Sequence, residues 1–373
     1  MTNSQPYKTS LMKFLVCVAL LMIGSCGLSM AAGWDRLEVD LVSGNLQQLL
    51  DRKSQIQQGD PKALSDFRSL IKKADQSLTQ GLLSVTQKRR VPPSGDKHDY
   101  LSLAPYWWPD PKKQDGLPWI RRDGRVNPQT RGDHVDYGTK QQLFQRVETL
   151  GLAAFYSEDK RYAEKAVALL EAWFVDPKTR MNPNLEYAQG VPGRSDGRCF
   201  GIIEWCGIRQ LIVPIQLLHA GGAIPESTYE SLVAWFEAYL QWLQTSKKGT
   251  LERDTRNNHA TWYDVQVTEI LLFLDRPEEA REILERVKTK RIATQIESDG
   301  RQPHELARTK SLSYSRMNLN AFIRLANLGK KVGVDLWNYQ TPDGRSIRKA
   351  QAFLDQFGQG KKKWPYQQLG QEK

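Results

Sequence analysis

The stretch NNHATWYDVQVTEILLFL, residues 257–274, predicts a long apolar helix that begins at a polar, amide-rich end. Asn257 or Asn258 suits the N-cap position, because an asparagine side chain can accept a hydrogen bond from a free amide of the first turn. By itself the pattern is typical of a capped helix with a buried His259. The alternative is that His259 belongs to a functional site. A second polar cluster favours this, namely Pro303-His304-Glu305-Leu306-Ala307-Arg308 followed by Tyr314.

Paired helical patterns surround this stretch. Residues 34–81 have helical spacing of apolar residues, and from residue 136 onward nearly all of the chain does. The predicted pairs are 137–157 with 161–174, 201–220 with 226–245, 258–274 with 277–292, and 311–329 with 346–357, with a kink expected at Pro214. Turns such as Gly221-Gly222 separate the partners. Repeated antiparallel hairpins predict an all-α fold, an α/α toroid or incomplete α/α barrel, in a single domain over residues 33–373.

Residues 88–135 differ from the rest, because no period persists and proline, glycine and charged residues dominate. An irregular stretch of this length inside a compact domain is usually functional. Trp107 and Trp108 within it either stack on sugar rings or bases, or fill the core. The loops 182–198 and 253–257 precede predicted helices and are expected to line one face. The candidate substrate contacts are Lys97, Tyr100, Tyr106, Trp107, Trp108, Asn184, Tyr187, Gln189, Arg194, Arg198, Asn257, His304 and Glu305.

The charge balance indicates an anionic polymer as partner. The 373 residues carry a formal net charge of +11 and include eleven tryptophans. A basic, tryptophan-rich protein suits nucleic acid or an acidic polysaccharide, although a basic surface without a specific ligand is the alternative. Because no recognisable nucleic-acid module is present and the chain carries an export signal, we expect an anionic polysaccharide and no nucleic acid.

The first 32 residues predict export. Lys8 and Lys13 precede an apolar run over residues 14–26, which is too short for a comfortable membrane span and typical of a signal peptide. Two processing sites compete. Ile23-Gly24-Ser25-Cys26 resembles a bacterial lipobox, with Cys26 as the lipidated residue, whereas Ser29-Met30-Ala31 offers a small-x-small cleavage site. We therefore expect a periplasmic protein, an outer-membrane lipoprotein or a secreted protein.

Two cysteines remain beyond the leader. On a continuous helix Cys199 and Cys206 would lie roughly 10 Å apart, which is too far for a disulfide. They lack neighbouring histidines at ligand spacing, so two buried thiols are expected, and neither a metal nor a cofactor is predicted.

Three ordered motifs resemble those of the alginate lyase superfamily. Lys97-His98-Asp99-Tyr100 with residues 104–111 (APYWWPDP) resembles its opening motif. Asn257-Asn258-His259, and residues 305–308 (ELAR) with Tyr314, resemble its catalytic motifs, and the similarity spans roughly residues 90–330. The interval from Arg308 to Tyr314 is one residue shorter than in periplasmic alginate lyases and is more similar to that of broader-specificity uronan lyases. The resemblance implies a helical toroid that cleaves polyuronates, alginate foremost and glucuronan as the other candidate, by β-elimination.

The residues suit that reaction chemically. The C5 proton of a uronate becomes acidic only when its carboxylate charge is neutralised, and Asn258 and Arg308 offer donors for this. His259 can accept the C5 proton, since imidazole titrates near neutrality. Tyr314 can protonate the leaving O4, and it can also act as base if Arg308 or His259 lowers its pKa. When C5–H and O4 lie on the same side of the ring, Tyr314 can perform both steps; when they lie on opposite sides, His259 is the expected base.

Two other functions remain open from the sequence. A glycoside hydrolase on an α/α barrel would need two facing carboxylates, for which Asp254, Asp264 and Glu305 are candidates. A periplasmic polysaccharide-binding protein without turnover would retain the groove, but it would have no need of His259 and Tyr314 beside Arg308.

Overall fold

A computed structural model describes Trp34, residues 37–358 and residues 362–370. The predicted leader, its two processing sites and Cys26 lie outside these residues. The α-helices are α1 (Leu46–Gln57), α2 (Pro61–Thr79), α3 (Tyr137–Ser157), α4 (Lys160–Leu170), α5 (Arg209–Ala220), α6 (Glu226–Thr245), α7 (Lys247–Arg253), α8 (Asn258–Phe273), α9 (Pro277–Val287), α10 (Ala293–Gln295), α11 (Pro303–Leu306), α12 (Ser311–Lys331) and α13 (Ile347–Asp355). Single π-helical turns at Glu171–Val175 and Lys288–Ile292 extend α4 and α9, and 3₁₀ helices span Val85–Gln87, Pro128–Thr130 and Cys199–Trp205.

These helices form the α/α toroid that the paired patterns predict. The helix starts follow from local chemistry: Asp159 accepts a hydrogen bond from the backbone amide of Arg161 at the start of α4, and proline occupies the first turn of α2 and of α9. α8 packs against α9 and α12, and nearly every one of its residues is buried. A helix that is apolar on all sides must lie inside the protein. The 257–274 stretch therefore forms the central helix of the C-terminal half.

The core is rich in aromatic rings. Trp205 stacks on Trp235 with ring centroids 5.7 Å apart, and Trp235 stacks on Tyr239 at 5.3 Å. These residues belong to one large hydrophobic cluster that runs from Trp34 to Leu354. A single core of this extent joins the helical hairpins into one body.

Short strands cover part of the toroid. β1 (Leu101–Leu103) pairs in parallel with β4 (Tyr187–Gly190), and β2 (Trp107–Trp108) pairs antiparallel with β3 (Ile120–Arg121). β4 lies so close to the 3₁₀ helix at Cys199–Trp205 that a Cβ at Gly201 would overlap Ala188. Only glycine permits this approach, which brings the loop between β4 and the 3₁₀ helix onto the site described below.

Several expected boundaries were wrong. Residues 37–45 are not helical, and the first helix begins at Leu46. The expected helix at 201–220 is interrupted at residues 206–208, where the chain bends by 43°, whereas α5 continues through Pro214. α7 and α11 were missed, because helices of seven and four residues are too short to show a period. Cys199 and Cys206 are free and only half-buried.

No single helix among the described residues has both the length and the hydropathy of a membrane span; one bent pair, Cys199–Trp205 with Arg209–Ala220, meets those criteria when taken together.

Candidate active site

The start of α8 is held by Glu305 of α11. Asn257 is the N-cap and accepts a hydrogen bond from the backbone amide of His259 at 3.3 Å. Asn258 is fully buried, and its backbone amide and Nδ2 donate to the two Glu305 carboxylate oxygens, each at 2.7 Å. Burial raises the pKa of Glu305, although the hydrogen bonds from Asn258 act to lower it. Glu305 thus orients the Asn258 amide, whose Oδ1 is buried and has no hydrogen-bond partner among the described residues.

His259 is oriented by a buried carboxylate. Its Nδ1 lies 2.6 Å from Oε1 of Glu252, the penultimate residue of α7, which is fully buried. Because a carboxylate oxygen accepts, Nδ1 donates the proton, and Nε2 is left without one in the neutral ring. Phe200 packs edge-on to the imidazole, with ring centroids 4.9 Å apart. Burial, reinforced by the Glu252 carboxylate, raises the pKa of the neighbouring Cys199 thiol to about 11.

Arg308 is anchored by the turn that follows β3. Its Nε and Nη2 donate to the two carboxylate oxygens of Asp123 at 3.2 and 2.7 Å, and Thr309 donates to the same carboxylate through its amide and hydroxyl. Although burial acts to raise it, the pKa of Asp123 is held well below its usual range by Arg308 and Thr309. The guanidinium also lies 3.9 Å from the centroid of the Tyr314 ring. This bidentate pair fixes the guanidinium plane and leaves Nη1 available.

Tyr314 is a protonated phenol in a partly buried position. Its hydroxyl donates to the hydroxyl of Tyr106 at 2.7 Å. Burial raises the pKa of Tyr314, Tyr106 raises it further, and the opposing effect of Arg308 is smaller. The lowering expected from Arg308 is therefore present but outweighed. In this environment Tyr314 is a proton donor rather than a ready base.

Electrostatic coupling ties the four predicted catalytic residues together. Glu305 bonds directly to Asn258, and both His259 and Arg308 act electrostatically on its carboxyl group. Arg308 in turn packs on Tyr314. The structure thus gathers around Glu305 an amide, an imidazole, a guanidinium and a phenol.

One wall of the site combines tryptophan with arginine. The guanidinium carbons of Arg194 and Arg198 lie 5.3 and 5.6 Å from the Trp107 ring centroid. Arg198 also donates to Gln189 through Nε and Nη2 and lies 5.2 Å from Phe200, the ring that contacts His259. Arg194 donates to the Trp119 carbonyl at 3.1 Å. Both arginines are therefore positioned by neutral hydrogen-bond partners, and neither forms an ion pair with a carboxylate of the described residues, so their charge can attract an anion.

Comparison with known proteins agrees with this arrangement. The sequence model of the alginate lyase family matches residues 84–364. The crystal structure of an alginate lyase from Bacteroides ovatus is 37% identical, with a TM-score of 0.84, and the match covers 88% of this chain and 86% of that one. The chain belongs to the alginate lyase family. It is accordingly a polysaccharide lyase.

More distant structures share the fold. Alginate lyase A1-III from Sphingomonas species A1 is 19% identical, with a TM-score of 0.54, and the match covers 83% of this chain and 76% of that one. An A1-III variant complexed with a tetrasaccharide is 18% identical, with a TM-score of 0.53, and the match covers 83% and 74% of the two chains. A comparison with curated proteins found no match.

Several predicted substrate contacts of this lyase have structural partners instead. Tyr100 is fully buried, and its hydroxyl donates to Glu204 at 2.8 Å, so in this structure its side chain supports the core. Glu305 is likewise buried and orients Asn258. The Lys97 ammonium donates to the Lys88 carbonyl at 3.0 Å. His304 is exposed and lines a separate cleft.

The remaining candidates lie at the edges of the short sheets. Trp108 is half-buried, its indole donates to the Arg125 carbonyl at 3.0 Å, and Arg122 lies 5.3 Å from its ring. Tyr187 packs beside Trp107 against the small hydrophobic cluster under β1. Asn184 is half-buried and accepts a hydrogen bond from the amide of Glu186.

Sequence reasoning about this lyase missed Glu252, Asp123 and Phe200. Asp123 stands among Arg121, Arg122 and Arg125, and a lone acid among three arginines is a signal for a bidentate partner. Glu252 lies seven residues before His259; the loop 253–257 between them was predicted, but α7, which carries Glu252, was not. Within residues 34, 37–358 and 362–370, no group of three or more His, Cys, Asp or Glu side chains could hold a metal ion.

Proposed function

We propose that this lyase cleaves alginate, a linear polyuronate, by β-elimination, with Asn258, His259, Arg308 and Tyr314 as its catalytic residues. The observation that carries the proposal is the placement of Tyr314, whose phenol is protonated, packed on Arg308 and grouped with the Asn258–His259 pair around Glu305. Each of the three tasks of elimination finds a group of the right chemistry there.

The first task is to neutralise the uronate carboxylate, which makes C5–H more acidic. The proposed donors are Nη1 of Arg308, which has no partner among the described residues, and the Asn258 amide, which is fully buried; Asp123 and Glu305 position them. Donors fixed before the reaction need no reorganisation as negative charge develops on the enolate-like intermediate.

The second task is proton removal, and the third is protonation of the leaving oxygen. His259 presents Nε2 as base, because Glu252 engages Nδ1. Tyr314 delivers its proton to O4 as the C4–O4 bond breaks, and the electron pair from C5–H forms the C4–C5 double bond. The Tyr106 hydroxyl accepts from Tyr314 in the resting state, so it is placed to return a proton to the phenolate afterwards.

Ring stereochemistry decides which residue removes the C5 proton. Where C5–H and O4 lie on opposite faces, His259 and Tyr314 act from opposite sides. Where they lie on one face, Tyr314 must remove the C5 proton itself, and it must first lose its own proton although burial raises its pKa.

The structure disfavours a glycoside hydrolase, because each candidate carboxylate already binds another side chain. Asp264 is buried and paired with Arg291 at 2.8 Å, Glu305 is committed to Asn258, and Asp254 pairs with Arg253. Asp254 and Asp264 line one cleft, but each is paired with an arginine there, so neither is free to act as the acid or the base that hydrolysis of a glycoside requires.

The test is turnover on purified polymannuronate, polyguluronate and glucuronan, followed by the ultraviolet absorbance of the unsaturated product. Folded Tyr314→Phe should lose about 10²–10⁴-fold in kcat on every polymer that the wild type cleaves, the scale of general acid–base contributions. Tyr156→Phe removes a hydroxyl from a half-buried tyrosine of α3, outside the site, and serves as the matched control. Full turnover by Tyr314→Phe, or the absence of unsaturated product with all three polymers, would overturn the proposal.

We also propose export of the mature enzyme, on the basis of Lys8, Lys13 and the apolar run that follows them. Mass spectrometry of the mature N-terminus separates a lipid on Cys26 from cleavage after Ala31. An intact N-terminal methionine in the cytoplasmic fraction would contradict export.

A further inference from the structure

A second cleft lies beside the catalytic residues, on the outer side of α8. It occupies about 580 Å³ between residues 253–256, α8 and the C-terminal part of α9 with its π-helical turn. We call it the Arg286 cleft, after a residue of its wall. Its volume falls within the range of about 300–1,000 Å³ that is typical of sites for small ligands.

The lining of the Arg286 cleft is strongly basic. Five cationic side chains face two carboxylates, Asp254 and Asp264. Arg253 forms an ion pair with Asp254, and Arg291 forms one with Asp264, so both carboxylates already have a cationic partner. The three cations that remain, Arg256, Arg286 and Lys290, are exposed. None of these three side chains has a hydrogen-bond or ion-pair partner in the part of the chain that the structure describes.

The wall of the cleft is preformed. Arg291 is buried, donates to both oxygens of Asp264 at 2.8 and 3.2 Å, and donates to the Arg253 carbonyl at 2.8 Å. These bonds join α8, the π turn after α9 and the end of α7. The wall thus fixes the backbone positions from which the exposed cations extend, which lowers part of the cost of ordering the cleft when an anion binds.

The Arg286 cleft is separate from the active site, but two of its lining residues are close neighbours of active-site residues along the chain. The loop that carries Arg256 leads directly into Asn257 and Asn258. His304, which lines the cleft, is adjacent to Glu305, which orients Asn258. A linear polymer that leaves the catalytic residues on this side would pass over Arg256 and His304.

We propose that the Arg286 cleft is a distal subsite that binds uronate carboxylates of the same polymer chain, beyond the residues being cleaved. The proposal rests on the proposed function, since it takes an acidic polysaccharide as substrate. The cleft increases affinity for long chains and contributes nothing to the chemical step. Short substrates that do not reach the cleft are bound without it.

The experiment compares the triple variant Arg256→Ala/Arg286→Ala/Lys290→Ala with wild type on long polyuronate and on a tetrasaccharide of the same uronate. Three exposed charge contacts together should change affinity by about tenfold. We therefore expect KM for the long polymer to rise about tenfold at low ionic strength, with kcat retained and with tetrasaccharide kinetics unchanged. The difference in KM should shrink as salt screens the charges.

The matched control is Lys62→Ala/Arg68→Ala/Lys72→Ala, which removes three exposed charges from α2, outside both sites. An equal rise in KM for this control would show a nonspecific charge effect and would overturn the proposal, as would an unchanged KM in the cleft variant. Retardation of each protein in a gel containing long polyuronate gives a second measurement that does not depend on turnover. If no polyuronate is cleaved, the proposed function fails, whereas loss of retardation by the cleft variant alone still supports the binding site.

Discussion

The contact between Glu252 and His259 makes the sharpest prediction about the chemistry. Glu252→Gln keeps the shape of the side chain and removes its charge. The carboxylate is fully buried, its Oε1 lies 2.6 Å from His259 Nδ1, and its Oε2 has no hydrogen-bond partner among the described residues. The substituted amide can still accept from Nδ1 through its oxygen, but it can no longer stabilise the imidazolium that forms when His259 takes the C5 proton.

The magnitude follows from the loss of charge assistance. A hydrogen bond to a charged group is worth about 1.5–3 kcal/mol and a neutral one about 0.5–1.5 kcal/mol. The difference of about 1–1.5 kcal/mol corresponds to roughly a tenfold fall in kcat. KM should change little, because the lost interaction is made mainly in the transition state. If the amide turns its NH₂ group toward Nδ1, the proton moves to Nε2, and the loss becomes larger.

Steady-state kinetics and nitrogen NMR of the imidazole together test this. We expect kcat to fall while KM stays nearly constant. If the loss in kcat exceeds roughly tenfold, the NMR spectrum should show that the proton has moved from Nδ1 to Nε2. Glu269→Gln removes an equally buried carboxylate, paired with Arg324 away from the site, and controls for general destabilisation. Unchanged kcat in folded Glu252→Gln, or an equal loss in Glu269→Gln, would refute the role of Glu252 in positioning and stabilising His259.

Four further outcomes follow from the same contacts. His259→Ala should abolish cleavage where C5–H and O4 lie opposite and should have a milder effect where they lie on one face; equal losses on both epimers would contradict the division of labour. Arg198→Ala should raise KM for polyuronate in a salt-sensitive manner, because the charge faces the Trp107 wall without an acidic partner, and an unchanged KM would remove this residue from the substrate groove. Asp123→Asn should lower kcat by loosening Arg308. The pKa of Asp123 is lower in the folded protein than in the unfolded chain, where it is about 3.9. The carboxylate therefore stabilises the fold above a pH of about 3.9, and this contribution is lost as the pH falls through the pKa of the folded protein. Wild type and variant should accordingly converge in acid unfolding experiments. Tyr100→Phe should leave KM unchanged and reduce the free energy of unfolding by about 1–3 kcal/mol, since buried Glu204 loses a donor; a raised KM would restore Tyr100 as a substrate contact.

Helix type and many boundaries were predictable because they depend on residues close together in the chain. α3 and α6 have the predicted bounds, and α8 starts where its asparagine cap indicates. Periodic apolar residues, a cap and a helix-starting proline act within one or two turns. The errors have the same origin. Residues 37–45 and 206–208 are not helical although their apolar spacing is, because a local pattern does not describe contacts with distant parts of the chain.

The chemical identities of the site were also present in the sequence. Asn258, His259, Arg308 and Tyr314 occur in ordered motifs; the first three act on the Glu305 carboxyl group, and Tyr314 packs on Arg308. Their supporting partners were not visible. Asp123 lies 185 residues from Arg308, and Tyr106 lies 208 residues from Tyr314. No local pattern relates such positions.

The sequence by itself determined the helical hairpins, the basic character and the set of groups available for elimination. Only the tertiary structure decided which of those groups are buried and which line an exposed cleft. Tyr100 and Glu305 are turned inward, and His304 lies in the Arg286 cleft. Glu252 shows the physical reason most clearly. On a continuous helix, residues seven apart are about 10 Å from each other, too far for a hydrogen bond. The break between α7 and α8 folds the chain back and brings Glu252 to 2.6 Å from His259. Burial and long-range pairing are set by how the hairpins pack, which a local pattern of residue types does not encode.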